Sequence, residues 1–328
     1  MGLRTYIVKR IIYSIALIFF VITVNFVIFM LMPGNPAMRL ADSMRIRNPE
    51  VIKSVTEAFG LNDPIHVRYV KYVRNMLTGQ FGTSYYTNKP VSDEIVLRLQ
   101  NTLILVIPPE IIAIAMGIVL GVIAAYKRGK LFDSAAVVTS LAVYSLPVFW
   151  IAMMLIMLFS FNLNWLPSGY SQPDYWFMYP PSNIFVDWSA RLRHLILPWT
   201  TLILLSYGAY LLLTRATMLE AITEDYVVTA RAKGLKERTV LFKHTLKNAS
   251  LPIITEVAIT FGFMLSGAII TEQVFIYPGL GWWIWRSIEE LDYPALQAIF
   301  FIIALCVIAA NFLADILYGV VDPRVKYG

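Results

Sequence analysis

Glu224–Pro252 reads EDYVVTARAKGLKERTVLFKHTLKNASLP, a polar, basic stretch of 29 residues set between two long apolar runs. The rest of the chain makes this stretch conspicuous. Its 328 residues are 58% hydrophobic and 15% charged, with a mean hydropathy of +0.65. A soluble domain carries about 25% charged residues. Such a deficit, together with uninterrupted apolar runs, points to an integral membrane protein. The net charge of +6 and pI of about 9.2 then belong to membrane topology rather than to nucleic-acid binding. Cys306 is the single cysteine. It sits in an apolar run, so it reads as a packed side chain and excludes both an internal disulfide and a cysteine metal cluster.

Working outward from this stretch, six segments have the roughly 20 apolar residues needed to cross a hydrocarbon core. They are approximately 11–32, 102–126, 134–160, 195–214, 253–275 and 295–318. The first is read as a retained transmembrane helix. Its apolar run exceeds the about 7–15 residues of a signal sequence, and no A-x-A site follows it. With six spans, Arg4, Lys9 and Arg10, the turn Lys127–Lys130, the loop 215–252 and the tail 319–328 fall on one side. These are the Lys/Arg-rich segments, so that side is cytoplasmic and both termini lie there. The expected fold is an all-α polytopic membrane protein of six transmembrane helices. Its parts are a cytoplasmic start at 1–10, a first span at 11–32, an external loop at 33–101, a core at 102–318 and a short tail.

The external loop is expected to hold two short helices. Asn48, Pro49 and Gly60 frame the first; Asp63, Pro64 and Gly79 frame the second, with Pro64 as its first helical residue. They are placed to cover a pore mouth or to meet an external partner. A second outside loop, about 161–193, is rich in Trp and Tyr, as a membrane-interface belt would be.

The motifs of a self-contained enzyme are missing. There is no G-x-x-x-x-G-K-[ST] phosphate loop, no H-E-x-x-H and no G-x-S-x-G. His66, His194 and His244 are too far apart in the chain to suggest a shared metal site. No catalytic or metal-binding residue is therefore assigned. Ionisable residues inside spans are costly and mark function or pairing. Glu110, just after Pro108-Pro109, and Glu256 are read as facing other helices or a wet pathway, with structural pairing and substrate lining both open. Glu272 and Asp315, nearer span ends, are placed at interfacial water. The two prolines are expected to kink the second span.

Within the opening stretch, a helix is expected from Leu219 to Lys233, stopped by Gly234, and a second from Lys236 towards Lys247. Tyr226, Thr229, Ala230 and Lys233 share one face, and Ala230, Ala232 and Gly234 are small enough for close approach by a neighbour. Docking onto a partner and a solvated hairpin joining two spans both remain open on these grounds.

The pattern D-Y-V-x-T-A-R-A-K-G-L followed by H-x-L-x-N-A-x-L-P resembles the cytoplasmic loop of ABC-importer permeases of the dipeptide/oligopeptide (peptide/nickel/opine) family, of the first-permease type. Aligned on Gly234, the wider superfamily's E-A-A falls on Val228, Thr229 and Ala230, so its acidic residue is absent. Further likenesses run along the chain. They include Leu31–Pro36, Gly60–Pro64 with Tyr69, Gly79–Gly82 with Ser84, and Glu272, Phe275, Pro278, Gly279 and Gly281 followed by Asp292–Pro294. The tail adds Asp315, Leu317-Tyr318, Asp322–Arg324 and Tyr327.

This resemblance implies a type I ABC importer permease fold. The chain would pair with a second, homologous permease, bind two cytoplasmic ATPase subunits and receive cargo from an external substrate-binding protein. ATP and Mg would be bound by the ATPases, leaving no cofactor in this chain. Asp225, Tyr226, Thr229, Ala230, Arg231, Ala232, Lys233, Gly234 and Leu235 would form the coupling helix. Pro278, Gly279, Gly281, Trp282 and Trp283 are candidate contacts for the binding protein. The family's cargo is mostly di- and oligopeptides; relatives carry nickel, glutathione or oligosaccharides. Two readings from other classes stay beside it. One is an ion-coupled secondary carrier using Glu110 and Glu256 as proton sites; the other is a membrane subunit with no pathway.

Overall fold

The computed structural model describes residues 3–31, 63–173, 176, 181–267 and 269–321. The first expected external helix, the Met32–Pro36 exit and the tail Asp322–Tyr327 lie outside them, as does the side chain of Asp315. The described residues are mostly helical: α1 Leu3–Leu31, α2 Ile65–Thr78, α3 Val91–Tyr126, α4 Leu131–Tyr144, α5 Val148–Leu155, α6 Ile184–Ala221, α7 Asp225–Ala232, α8 Leu246–Gly267, α9 Ile269–Val274, α10 Leu280–Glu289 and α11 Tyr293–Val321. Helix α5 continues as π-helical turns over Ile156–Asn162.

Four of these helices are long and apolar enough to cross a membrane: Ile7–Leu31 of α1, α3, α6, and Tyr293–Phe312 of α11. Helices α4 and α5, with its π turns, make a fifth if they are one span, but they meet at an angle of 101°. The straight span expected over 134–160 is therefore corrected to a broken one. Pro147 is the cause. It sits in extended backbone (φ −62°, ψ 138°) at the start of α5, has no N–H to continue the preceding turn, and pushes Leu146 out of the helical region. Helix α6 starts at Ile184, well before the expected 195, because the Asn183 side chain accepts the Val186 N–H at 3.0 Å and caps it.

The chain divides into two compact units, one of residues up to 102 with 278–319, the other of 103–277. In the first, Ile22 of α1, Met76 of α2 and Phe301 of α11 form a buried cluster. The Asn25 amide donates to the Gln297 carbonyl at 2.9 Å, removing a polar group from an otherwise apolar helix face. Helix α2 ends at Gly79 as expected, with φ +72°. Its N-cap is Pro64 rather than Asp63, whose carboxylate instead accepts from Lys71 at 2.6 Å. The fully buried Asp292 accepts from Ser84 Oγ at 2.5 Å and from the N–H groups of Tyr86 and Ala295, both at 3.3 Å. It caps α11 and pins the 83–90 turn to it. Burial, with the Asp292 carboxylate nearby, pushes the Tyr85 phenol well above its ordinary range.

In the second unit α3 packs on α6 at close range. A Cβ placed on Gly117 would lie 2.4 Å from Tyr210 Cβ, and one on Gly121 2.6 Å from Thr214 Cβ. The stretch GIVLG, Gly117–Gly121, is thus a small-x-x-x-small seam between spanning helices, a signal that sequence reading passed over. The helix runs on through Pro108 and Pro109. Pro108 cannot donate to the carbonyl four residues back, that of Ile104. Trp199 Nε1–H fills the gap, donating to it at 3.1 Å, so the orphaned acceptor is satisfied from a neighbouring helix. Towards the other end of α6, Arg215 grips Asp133 of α4 at 2.5 and 2.9 Å. The Gly129 N–H adds a third bond to that carboxylate, at 2.9 Å. One of the cations counted towards the cytoplasmic side is therefore already paired.

Candidate functional site

The opening stretch forms a hairpin. Helix α6 ends at Ala221, residues 222–224 turn, α7 runs from Asp225 to Ala232, and Gly234 (φ +73°) reverses the chain. The expected continuous helix from Leu219 to Lys233 is corrected: it breaks at Ile222–Glu224. The return limb, Glu237–Thr239 and a π turn over Val240–Thr245, passes directly into α8. Pro252 consequently lies inside a helix rather than at the start of one.

Packing of the return limb decides which residues face out. Val227 and Ala230 are buried against Val240 of the return limb, with Tyr226 packed beside them. Ala230 is therefore internal to the hairpin and cannot also meet a partner. The apolar residues left exposed are Val228 and Ala232, at i and i+4 in one stripe along α7, and Leu235 just past the Gly234 reversal. Val228, 58% exposed, is the residue sequence reasoning missed. Arg231 and Glu237 tie the two limbs at 2.7 Å, and Glu237 holds that guanidinium still more firmly in its charged form. Asp225, Thr229, Lys233 and Gly234 are exposed around the stripe, with Lys236 and Arg238 on the return limb. Chemically this is a short, braced tip with a small apolar centre and a basic rim, which suits docking into a groove rather than catalysis.

The first candidate pathway residue has a partner in another helix. Glu110 is buried and accepts from Tyr210 Oη of α6 at 2.6 Å, and α6 packs against α8, the helix that carries Glu256. Tyr210, 100 residues away in sequence, had given no signal. The arrangement supports structural pairing. Glu110→Gln, which keeps an acceptor for Tyr210, should leave thermal stability and uptake within about twofold of wild type. Glu110→Leu strands a buried hydroxyl and should cost about 1–3 kcal/mol, read as a lowered melting temperature of the purified protein.

The external candidates separate. Trp283 is fully buried, its ring under the Arg98 guanidinium at 4.5 Å from the centroid, so it is a core residue and not a contact surface. Trp282, half-buried, also lies against the Arg98 guanidinium, at 5.3 Å from its ring centroid. Pro278 is half-buried, whereas Gly279 and Gly281 are buried. The Pro278 carbonyl accepts from Asn101 Nδ2 at 3.0 Å, and Leu280 N–H donates to Thr102 Oγ1 at 2.8 Å. The exposed side of α10 is Trp285, Ile288 and Glu289. Glu272, expected at interfacial water, is completely buried. The chain folds back at this point, Tyr277 N–H donating to the Glu272 carbonyl at 2.8 Å.

Comparison with known proteins identifies the family. Residues 117–327 match the family described as "Binding-protein-dependent transport system inner membrane component", and residues 3–106 match its N-terminal counterpart. The oligopeptide transport system permease protein AppB of Bacillus subtilis is 38% identical over 330 residues, covering 99% of this chain and 100% of that protein. The dipeptide transport system permease protein DppB of Escherichia coli K12 is 39% identical over 313 residues, 90% of this chain and 91% of that one. The glutathione transport system permease protein GsiC of Salmonella paratyphi A is 34% identical over 322 residues, 98% and 99% of the two chains. A match along almost the whole length, on a chain of apolar spanning helices, leaves one conclusion: this chain belongs to the inner-membrane permease family of binding-protein-dependent ABC transport systems.

Proposed function

We propose that this chain forms half of the translocation pathway of an ATP-driven importer of di- and oligopeptides. It would pair with a second permease, receive cargo from an external binding protein and be driven by two ATPase subunits that hold the ATP and Mg. Six spans with both termini cytoplasmic, an external loop over 33–101 and a cytoplasmic loop over 215–252 complete the reading. The sixth span would be supplied by α8 and α9. The observation that carries it is the hairpin tip: Val228, Ala232 and Leu235 exposed on a braced, basic-rimmed hairpin, on a chain without a phosphate loop of its own. The peptide cargo rests on the names of its relatives, several of which are called dipeptide or oligopeptide permeases. The test is uptake of a labelled tripeptide by vesicles holding the assembled transporter. Uptake should need ATP and the binding protein and should survive a protonophore. Uptake that persists without ATP and collapses with the proton gradient would replace this reading with an ion-coupled carrier.

A further inference from the structure

Helix α2 has no part in the reading so far. It carries His66, Arg68, Lys71 and Arg74 and no acidic residue. Its placement on α1 is fixed by Tyr69 Oη and Thr23 Oγ1, 2.7 Å apart, and by Phe26, whose ring lies 5.3 Å from Tyr69 and 5.4 Å from Tyr72. The two flanks of α2 meet α1 at different heights. Arg68, Lys71 and Asn75 line a cavity of about 220 Å³ with Phe26 and Met30. Val70, Val73, Arg74 and Leu77 line a groove of about 650 Å³ with Phe19. At 1.5 Å per residue, Phe19 and Met30 are about 16 Å apart along α1. A helix that touches both levels with opposite flanks runs across α1 rather than along it.

Because α1 crosses the membrane, α2 lies in the membrane plane. Its flank towards the C-terminal end of α1 is polar. Its flank towards the middle of α1 presents Val70 and Leu77, 66% and 53% exposed. This is the division expected of a helix lying at a bilayer surface. Arg74 lies at the groove and makes no ion pair among the described residues. A phosphate at the interface supplies the charge it lacks, and the groove beneath accepts an acyl chain.

We propose that α2 is an in-plane interfacial helix, and that its groove with α1 holds one acyl chain of an anionic phospholipid whose phosphate pairs with Arg74. The inference rests on α1 spanning the membrane and is independent of the cargo. The single cysteine makes a direct test simple. In Cys306→Ser and Cys306→Ala backgrounds of the assembled transporter, single cysteines at Val70, Leu77 and Lys71 are nitroxide-labelled in phosphatidylglycerol vesicles. Labels at 70 and 77 should collide with oxygen and be hidden from a water-soluble nickel chelate; the label at 71 should do the reverse. Nickel access at 70 and 77, or shielding of both from either reagent because protein covers them, overturns the placement. A second measurement addresses the headgroup. Mass spectrometry of transporter extracted from mixed phosphatidylglycerol and phosphatidylcholine vesicles should find phosphatidylglycerol retained preferentially, and reduced about tenfold by Arg74→Gln. Equal retention of the two lipids by the wild type overturns the anionic part.

Discussion

Val228→Asp should abolish peptide uptake while leaving membrane insertion intact. Val228 is the most exposed apolar side chain in the central stripe of the hairpin tip, so the folded chain loses little when it becomes polar. Seated in a partner's groove, the new carboxylate would be buried without a partner, at a cost of about 3 kcal/mol or more. That corresponds to at least about 100-fold in the affinity of the tip for its ATPase, measured as loss of the ATPases on co-purification. Ala230→Asp provides the contrast. Ala230 lies inside the hairpin, so there the charge should disrupt the hairpin itself and raise protease sensitivity in 225–245. Gly234→Val should fall between the two. No atom would touch a Cβ at Gly234, but its φ of +73° strains any β-branched residue, at about 1–3 kcal/mol. A Val228→Asp transporter that keeps its ATPases and its uptake would show that the tip is not the docking surface.

Gly117→Val should be the most destabilising single change in the spanning region. The Cβ alone would stand 2.4 Å from Tyr210 Cβ and 2.8 Å from the Tyr207 carbonyl, and both are fixed parts of α6 rather than movable side-chain ends. Separation of α3 from α6 would also break the Tyr210–Glu110 bond. Overpacking alone costs about 1–3 kcal/mol, and the lost buried hydrogen bond adds about 1–3. The expected result is a transporter that is made but melts far below wild type in detergent. Gly129→Ala is the control: nothing lies within 4 Å of its Cβ position, so only its left-handed backbone conformation is strained, costing about 1 kcal/mol. Equal melting temperatures for Gly117→Val and wild type would mean that the α3–α6 seam is looser than described.

These contrasts also mark what was readable in advance. Long apolar runs announce spanning helices because hydrocarbon tolerates little else, so most spans were found near their positions. Apolarity alone does not reveal a bend, and the 134–160 segment hid one although Leu146-Pro147 stood in plain view. In the hairpin, the family pattern located the segment. Small side chains marked Ala230 for close approach by a neighbour; in the folded hairpin that neighbour is Val240 of the return limb, which leaves Val228 outside. The partners of Trp283 and Glu110 come from helices remote in the chain, and pairings of that kind follow from packing rather than from local pattern. Trp283 looked like an external contact because tryptophan favours interfaces. Arg98, which covers it, could not be inferred from its neighbours in sequence.

The two limbs of the hairpin also differ mechanically. On the return side, backbone turns run from Glu237 through the π segment to Gly267 without a gap. On the outgoing side, three non-helical residues separate α7 from α6, and α6 is itself clamped to α4 through Arg215 and Asp133. A displacement of the tip therefore has a stiff route along α8 and a compliant one towards α6. If the tip docks as proposed, the hairpin would act less as a handle on the whole unit than as a push-rod on one helix. Its stroke would reach α8, which carries Glu256.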